Sequence, residues 1–289
     1  SINATRFDVT KHQATPVVSD AKIGLNEISN NLGGWKAQDH WYQRAIKETE
    51  EWEQYVKKQS GPTNQELPSY AQVVGAVYRK AESSDIVVTA AGGLVGEVMQ
   101  VWKPKKINTF ETEWGFSCMG YEISGALGIK MAKPNQEVIV FVGDGSYLLH
   151  NSDIYSSILY EKKLIIIICD NGGHMVINRL QLAKGGKEYL SNLKAARATN
   201  FIEVDFAAHA ASMGAATETV VSTSELESAF LRAKKSKRTY VISIKTHGYE
   251  WLEGTAYWES PTLEVFSNEE NKQAYEEHIK NKEKQRKGV

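Results

Sequence analysis

The stretch "VGDGSYLLHN", residues 142–151, decides the fold. It follows the apolar run "EVIVF" and sets an acid between two glycines, where a β-strand can turn sharply and bring bare backbone N–H groups close to a ligand. A phosphate suits that geometry. A helix starting at about Asn151, with the Gly145 and Ser146 amides before it, adds further N–H groups that bind anions. Gly-Asp-Gly also serves as a plain tight turn, and Asp144 alone does not separate the two uses.

The second half of the signal is "CDNGGH", residues 169–174. Residues 146–169 lie between the two glycine-rich segments, enough for one turn, one helix and the return strand of a β-α-β unit. The two strand ends are then neighbours, and Asp144 and Asn171 face one another. An Asp carboxylate, an Asn amide oxygen and a backbone carbonyl just beyond make a hard, oxygen-only set of the kind magnesium takes, the remaining positions going to water and substrate phosphate. Metal plus diphosphate is the economical reading.

Outward from this pair the chain alternates. Helical "SYAQVVGAVYRKAE" precedes strand "DIVVTAA", a short strand near "INTF", helix "MGYEISGALGIKMA", strand "EVIVFVG", helix "SDIYSSILYEKK" and strand "LIIIICD". Helix "DFAAHAASM", strand "ATETVV", helix "SELESAFLRAKK" and strand "TYVISIK" complete the pattern. Continuous apolar strands separated by such helices predict an α/β fold, a parallel sheet with helices on both faces. Ligands of such sheets bind beyond the carboxyl ends of the strands, where Gly-Asp-Gly lies. Upstream, "DAKIGLNEISNNL" and "QDHWYQRAIKETEEWEQYVKK" predict helices, the first stopping at Gly33-Gly34. The linker-like "QSGPTNQELPSY" at 59–70 puts a domain boundary near residue 66. The charged end from Ser267 predicts a solvated helix.

Composition limits the partners. With 289 residues, 42% hydrophobic and 24% charged, the chain has an ordinary globular make-up for about two domains. A net charge of -1 gives no electrostatic reason for nucleic acid or an anionic membrane. No apolar run approaches the roughly 20 residues that span a bilayer. Of the two cysteines, Cys169 sits in an apolar run as a small buried hydrophobe, which predicts a reducing, cytoplasmic setting. The amino end has neither a signal-peptide pattern nor an initiator Met, and reads as a cut inside a longer protein.

Gly-Asp-Gly paired at this spacing with Asp-Asn, and the upstream "GFSCMGYEISGALGIKMA", together resemble the thiamine-diphosphate enzymes of the acetolactate-synthase type. The resemblance implies that Asp144, the Asn171 side chain and the Gly173 carbonyl hold Mg2+. It also implies that Gly143, Gly145 and Ser146 contact the diphosphate of thiamine diphosphate. Ser117 and Met119 would grip the pyrimidine, with the Met119 side chain as the wedge that bends the cofactor; without that context, Met119 reads as a core filler.

"EWGFSCMGYEI", "VGDGSYLLHNS", "INRLQ", "FDVTKHQATPVVSDAKIGL" and "HGYEW" are similar, more narrowly, to the acylhydrolases that open trihydroxycyclohexane-1,2-dione to 5-deoxy-glucuronate in inositol catabolism. By this likeness, residues 1–66 end a mainly helical middle domain, and 67–289 form the diphosphate-binding domain of a homodimer or homotetramer. The glutamate that activates the cofactor then lies on an absent pyrimidine-binding domain, so the chain alone is inactive. A cyclic diketone is the implied substrate; an acetolactate synthase or 2-oxoacid decarboxylase is the sibling reading.

Among the chain's own polar residues, Glu113 is the best candidate for a substrate contact, with Glu111 and Glu122 expected as loop or helix-surface carboxylates. Asn178 and Arg179 could reach sugar-like hydroxyls or a carboxylate, or could form a polar helix face. His150 and His174 stand beside the implied cofactor, each with a structural role as the commoner reading. From another class, a non-catalytic nucleotide-binding module remains, although "AAGGLVGE" at 90–97 lacks dinucleotide-binding glycine spacing and reads as a tight strand-to-helix turn.

Overall fold

The structure is a computed structural model that describes residues 1–11, 14–195, 202–253 and 263–284. His12, part of the "GTAYWESPTLEVF" segment and the extreme carboxyl end lie outside the described residues. The chain divides into two compact units, Ser1–Trp52 with Tyr275–Val289, and Glu53–Ala274.

The first unit begins with β1 (Ile2–Asn3), α1 (Arg6–Val9) and β2 (Val17–Val18), with β1 and β2 pairing in parallel. Helix α2 (Ala21–Asn31) starts at Asp20, whose carboxylate accepts the Lys22 and Ile23 N–H groups, so a cap residue fixes where the predicted helix begins. α3 (Asp39–Gln59) follows.

The second unit is built on one sheet. Its elements run α4 (Tyr70–Lys80), β3 (Ile86–Thr89), α5 (Gly92–Val101), β4 (Phe110–Thr112), α6 (Tyr121–Ala132), β5 (Val138–Gly143), α7 (Asp144–Leu149), α8 (Asp153–Leu159), β6 (Ile165–Asp170), α9 (Met175–Ala183), α10 (Phe206–Ser212), β7 (Ala216–Val220), α11 (Thr223–Lys235) and β8 (Tyr240–Lys245); α12 (Glu269–Glu283) begins in this unit and ends in the first. The strands are all parallel, in the order β4-β3-β5-β6-β8-β7. One face buries Ile86, Val88, Val140, Ile166 and Ile168 with Ile123, Ile154 and Phe206 from α6, α8 and α10. The alternate residues Val87, Ile139, Phe141, Ile165 and Ile167 are equally buried on the other face, where Trp102 packs edge-on against Phe141. Both faces are dry, which is why the strands read as unbroken apolar runs.

The predicted α/β sheet is present. The helix expected at about Asn151 is present as α8, and a shorter helix that the sequence reading did not give precedes it. α7 begins at Asp144 itself and breaks at His150 before α8. Gly143 takes the extended conformation of a cap residue, and an acid in the first turn suits the positive end of a helix.

The topology places the site. The chain leaves β3 towards β4 on one side and leaves the neighbouring β5 towards β6 on the other, which places a crevice at the carboxyl ends of β3 and β5.

Candidate active site

Four strand ends and the loops they release build the site. Gly143 pairs in register with Cys169, so Asp144 and Asp170 step out of the sheet side by side. Beyond Asp170 the chain turns through Gly172 and Gly173, the latter at φ 141, a conformation closed to side chains without strain. The turn points the Gly173 N–H at the Asp144 carboxylate, which the Gly145 N–H also faces. Asp144 is 1% exposed. Burial first, and the neighbouring Asp170 charge second, push its pKa from 3.8 up to about 7, while the two N–H groups pull the other way.

Two oxygens here stand out: Asp144 Oδ2 and Asn171 Oδ1 are buried and accept no hydrogen bond. Buried acceptors are costly to leave unpaired. Both are hard oxygen donors at adjacent strand ends, so the residues fit a small divalent cation. Among the described residues no three His, Cys, Asp or Glu side chains gather as a metal cluster, and an Asp–Asn–carbonyl set lies outside that pattern.

The loop after β4 arrives from the other side. A Cβ built on Gly145 would lie 2.8 Å from His174 Nδ1 and 3.5 Å from Met119 Cε. Only a glycine lets the His174 ring come so close to this turn, while Met119 Cε stands at ordinary contact distance. Met119 is 37% exposed, on a loop whose Ser117 (φ 52) and Gly120 (φ 98) are both left-handed. His150 lies against Gly120, its Cβ 2.3 Å from where a Gly120 Cβ would be.

Two carboxylates shape this loop. Glu113 accepts the Phe116 and Cys118 N–H groups at 2.8 and 2.7 Å; the Cys118 N–H, then that of Phe116, hold its pKa below the ordinary value. Glu122, expected on a surface, is instead 1% exposed. It accepts the Gly120 N–H at 2.7 Å, the Ala91 N–H at 3.3 Å and the Ser146 hydroxyl. Burial raises its pKa, and those donors draw it back. The surface expectation fails because two of its donors, the Ala91 N–H just beyond β3 and the Ser146 hydroxyl on α7, lie far off in sequence.

A second layer closes over the Gly172–Gly173 loop. His174 N–H donates to the Ser191 carbonyl at 2.7 Å and Leu193 N–H to that of Gly172 at 2.9 Å, so residues 191–193 lie across the glycines. Asn178 does not form a polar helix face: it is fully buried and its amide donates to Glu188 at 2.8 Å, as does the Tyr249 hydroxyl. The Arg179 guanidinium stacks 4.0 Å above the Trp251 ring.

Sequence reading missed Glu97 and Tyr70. Glu97 is buried on α5 and accepts the Leu252 N–H at 2.9 Å. Tyr70 is buried with its hydroxyl 3.9 Å from the Cβ position of Gly143, and burial, then the charges of Cys169 and Asp144, raise its pKa. A signal for Glu97 existed: it shares the helical stripe of Leu94, Val98 and Val101, where an exposed acid is out of place.

This fold and site define a class. The family description "Thiamine pyrophosphate enzyme, C-terminal TPP binding domain" matches residues 90–244, and the chain belongs to that family. Its relatives include proteins named 3D-(3,5/4)-trihydroxycyclohexane-1,2-dione hydrolase. The one from Bacillus anthracis is 31% identical over 317 residues, 97% of this chain and 48% of the relative. The one from Halalkalibacterium halodurans is 32% identical over 305 residues, 96% of this chain and 47% of the relative. The chain thus spans about half the length of the curated relatives it matches.

Among solved structures, a thiamine diphosphate-dependent 4-hydroxybenzoylformate decarboxylase from Rhodococcus jostii superposes with a TM-score of 0.55 at 19% identity, over 64% of this chain and 34% of that one. A benzoylformate decarboxylase from Polynucleobacter necessarius gives 0.53 at 21%, over 65% and 34%. At such identities the likeness concerns the fold.

Proposed function

We propose that this chain is the carboxyl-terminal portion of a thiamine-diphosphate- and Mg2+-dependent hydrolase that opens trihydroxycyclohexane-1,2-dione to 5-deoxy-glucuronate in myo-inositol catabolism. The observation that carries the cofactor part is the pair of partnerless buried oxygens, Asp144 Oδ2 and Asn171 Oδ1, at neighbouring strand ends. The names of relatives 31% and 32% identical along nearly the whole chain support the substrate part. In this reading residues 1–66 close a middle domain, the protein is a cytoplasmic homodimer or homotetramer, and the rest of the polypeptide supplies the activating glutamate.

Asp144, the Asn171 side chain and the Gly173 carbonyl would hold the cation. Gly143 and the backbone N–H groups of Gly145 and Ser146 would grip the diphosphate; the Ser117 carbonyl and Met119 backbone would hold the pyrimidine, with the Met119 side chain supporting the bend. When bound, thiamine diphosphate supplies a carbon nucleophile and a sink for an electron pair. His174, whose Nδ1 lies 2.8 Å from where a Gly145 Cβ would be, is this chain's candidate side chain for a proton-transfer role beside the cofactor. Asn178 acts from behind by fixing Glu188, and Glu113 by fixing the loop that carries Met119.

An assay of the whole protein with the cyclic dione and, separately, with pyruvate tests the reading. The dione is consumed only when thiamine diphosphate and Mg2+ are present, and residues 1–289 alone give no turnover. Pyruvate turnover without dione turnover would replace this reading with the acetolactate-synthase or decarboxylase one.

A further inference from the structure

We propose that Glu122 is a positioning residue that fixes the Met119 turn and the Gly145–Ser146 segment in one alignment; this rests on the thiamine-diphosphate reading above. Its carboxylate joins three elements. The Ala91 N–H comes from the cap of α5, just beyond β3, the Gly120 N–H from the turn before α6, and the Ser146 hydroxyl from α7. These are the elements that border the crevice where the sheet order reverses.

A buried carboxylate is acceptor-only and can take all three donors. A carboxamide cannot: one of its two ends is itself a donor and would face an N–H. Met119 therefore sits between two turns held by acids, with Glu113 fixing Phe116 and Cys118 before it and Glu122 fixing Gly120 after it. Gly120 is pressed onto His150, which blocks the turn from swinging that way. Moving the Glu122 anchor shifts Met119 relative to Gly145, where Met119 Cε lies 3.5 Å from the position a Cβ would take. The residues proposed to grip the diphosphate through their backbone, Gly143, Gly145 and Ser146, stay fixed by the end of β5 and by α7, so the effect falls on the distance between the two ends of the cofactor.

The test compares two probes on the whole protein: thiamine diphosphate with Mg2+, and inorganic pyrophosphate with Mg2+, each by calorimetry. Pyrophosphate reads the diphosphate cradle alone; thiamine diphosphate reads cradle and turn together. Glu122→Gln is expected to weaken thiamine diphosphate by about tenfold or more, the scale of a lost hydrogen bond to a charged group, and to leave pyrophosphate nearly unchanged. Amide exchange of the unloaded protein is expected to quicken at Ala91 and Gly120 and to stay unchanged along β6. Should Glu122→Gln fail to fold, Glu122→Asp, which keeps the charge but is too short to span all three donors, is measured in the same way with the same expectation. Equal weakening of both probes, or no change in either, overturns the positioning role. If the wild type binds neither probe, the thiamine-diphosphate reading itself falls, and this inference falls with it.

Discussion

At Asp144 a carboxylate is held out of water beside another acid, and a bound cation would relieve both the burial and the repulsion. Glu97 shows the same physics without a proposed metal. Burial pushes its pKa from 4.5 up to about 7, against the Leu252 N–H and the Arg179 charge. The folded chain then holds this proton more tightly than the unfolded one. The stability that Glu97 contributes is fully present below pH 4.5 and is lost as pH rises through about 7. Glu97→Gln is therefore predicted to flatten the fall in unfolding free energy across that window, measured by urea melts at several pH values; parallel wild-type and variant profiles would refute it. Single residues were the hardest to read from sequence. Glu122 and Asn178 are polar, and polar residues default to a surface reading, yet both are buried by donors or acceptors that only the tertiary fold supplies. That Asp144 and Asn171 come to neighbouring strand ends was legible because their glycine-flanked positions follow apolar strands.

At the scale of elements, caps and glycine turns set where helices and loops begin. Ser69 and Gln72 form a reciprocal capping box at the start of α4, which the sequence shows as "SYAQ". Ser69→Ala is predicted to cost about 1 kcal/mol in a denaturant melt, and no measurable loss would mean that tertiary packing alone fixes that end. Gly173 carries a larger demand. At φ 141 any side chain is strained, and a Cβ would lie 2.5 Å from the Ser191 carbonyl oxygen. Gly173→Ala is predicted to destabilise by about 1–3 kcal/mol and to detach residues 191–193 from the loop, seen as faster amide exchange at His174 and Leu193; unchanged exchange would contradict the strap. Most strands and long helices were legible within a residue or two from apolar runs and helical spacing, but β4 starts three residues after the start of "INTF" and α5 showed only as a strand-to-helix turn. α7 was not, because six residues show no periodicity, and its start depends on Gly143 being extended.

Across the whole molecule, stability rests on a parallel sheet buried on both faces. Ile166 is fully buried near the middle of that sheet, so Ile166→Ala is predicted to cost about 2–5 kcal/mol by denaturant melt; a cost below about 1 kcal/mol would mean the site can collapse around the lost volume. The parallel arrangement was readable from sequence, since strands with no polar alternation demand cover on both sides. The strand order was not: no local pattern says that β4 lies outside β3 or that β8 lies between β6 and β7. That order opens the crevice and brings the β3, β4, β5 and β6 ends to one edge. The central claim is that two loops from β5 and β6 form one seat for a divalent cation and a diphosphate. Titration calorimetry of the whole protein with thiamine diphosphate and Mg2+ tests it most directly. Binding in the wild type, weakened at least about tenfold, or roughly 1.4 kcal/mol, by Asp144→Ala and again by Asn171→Ala, is the predicted result. Undiminished affinity in Asp144→Ala, with the variant folded, would contradict the account.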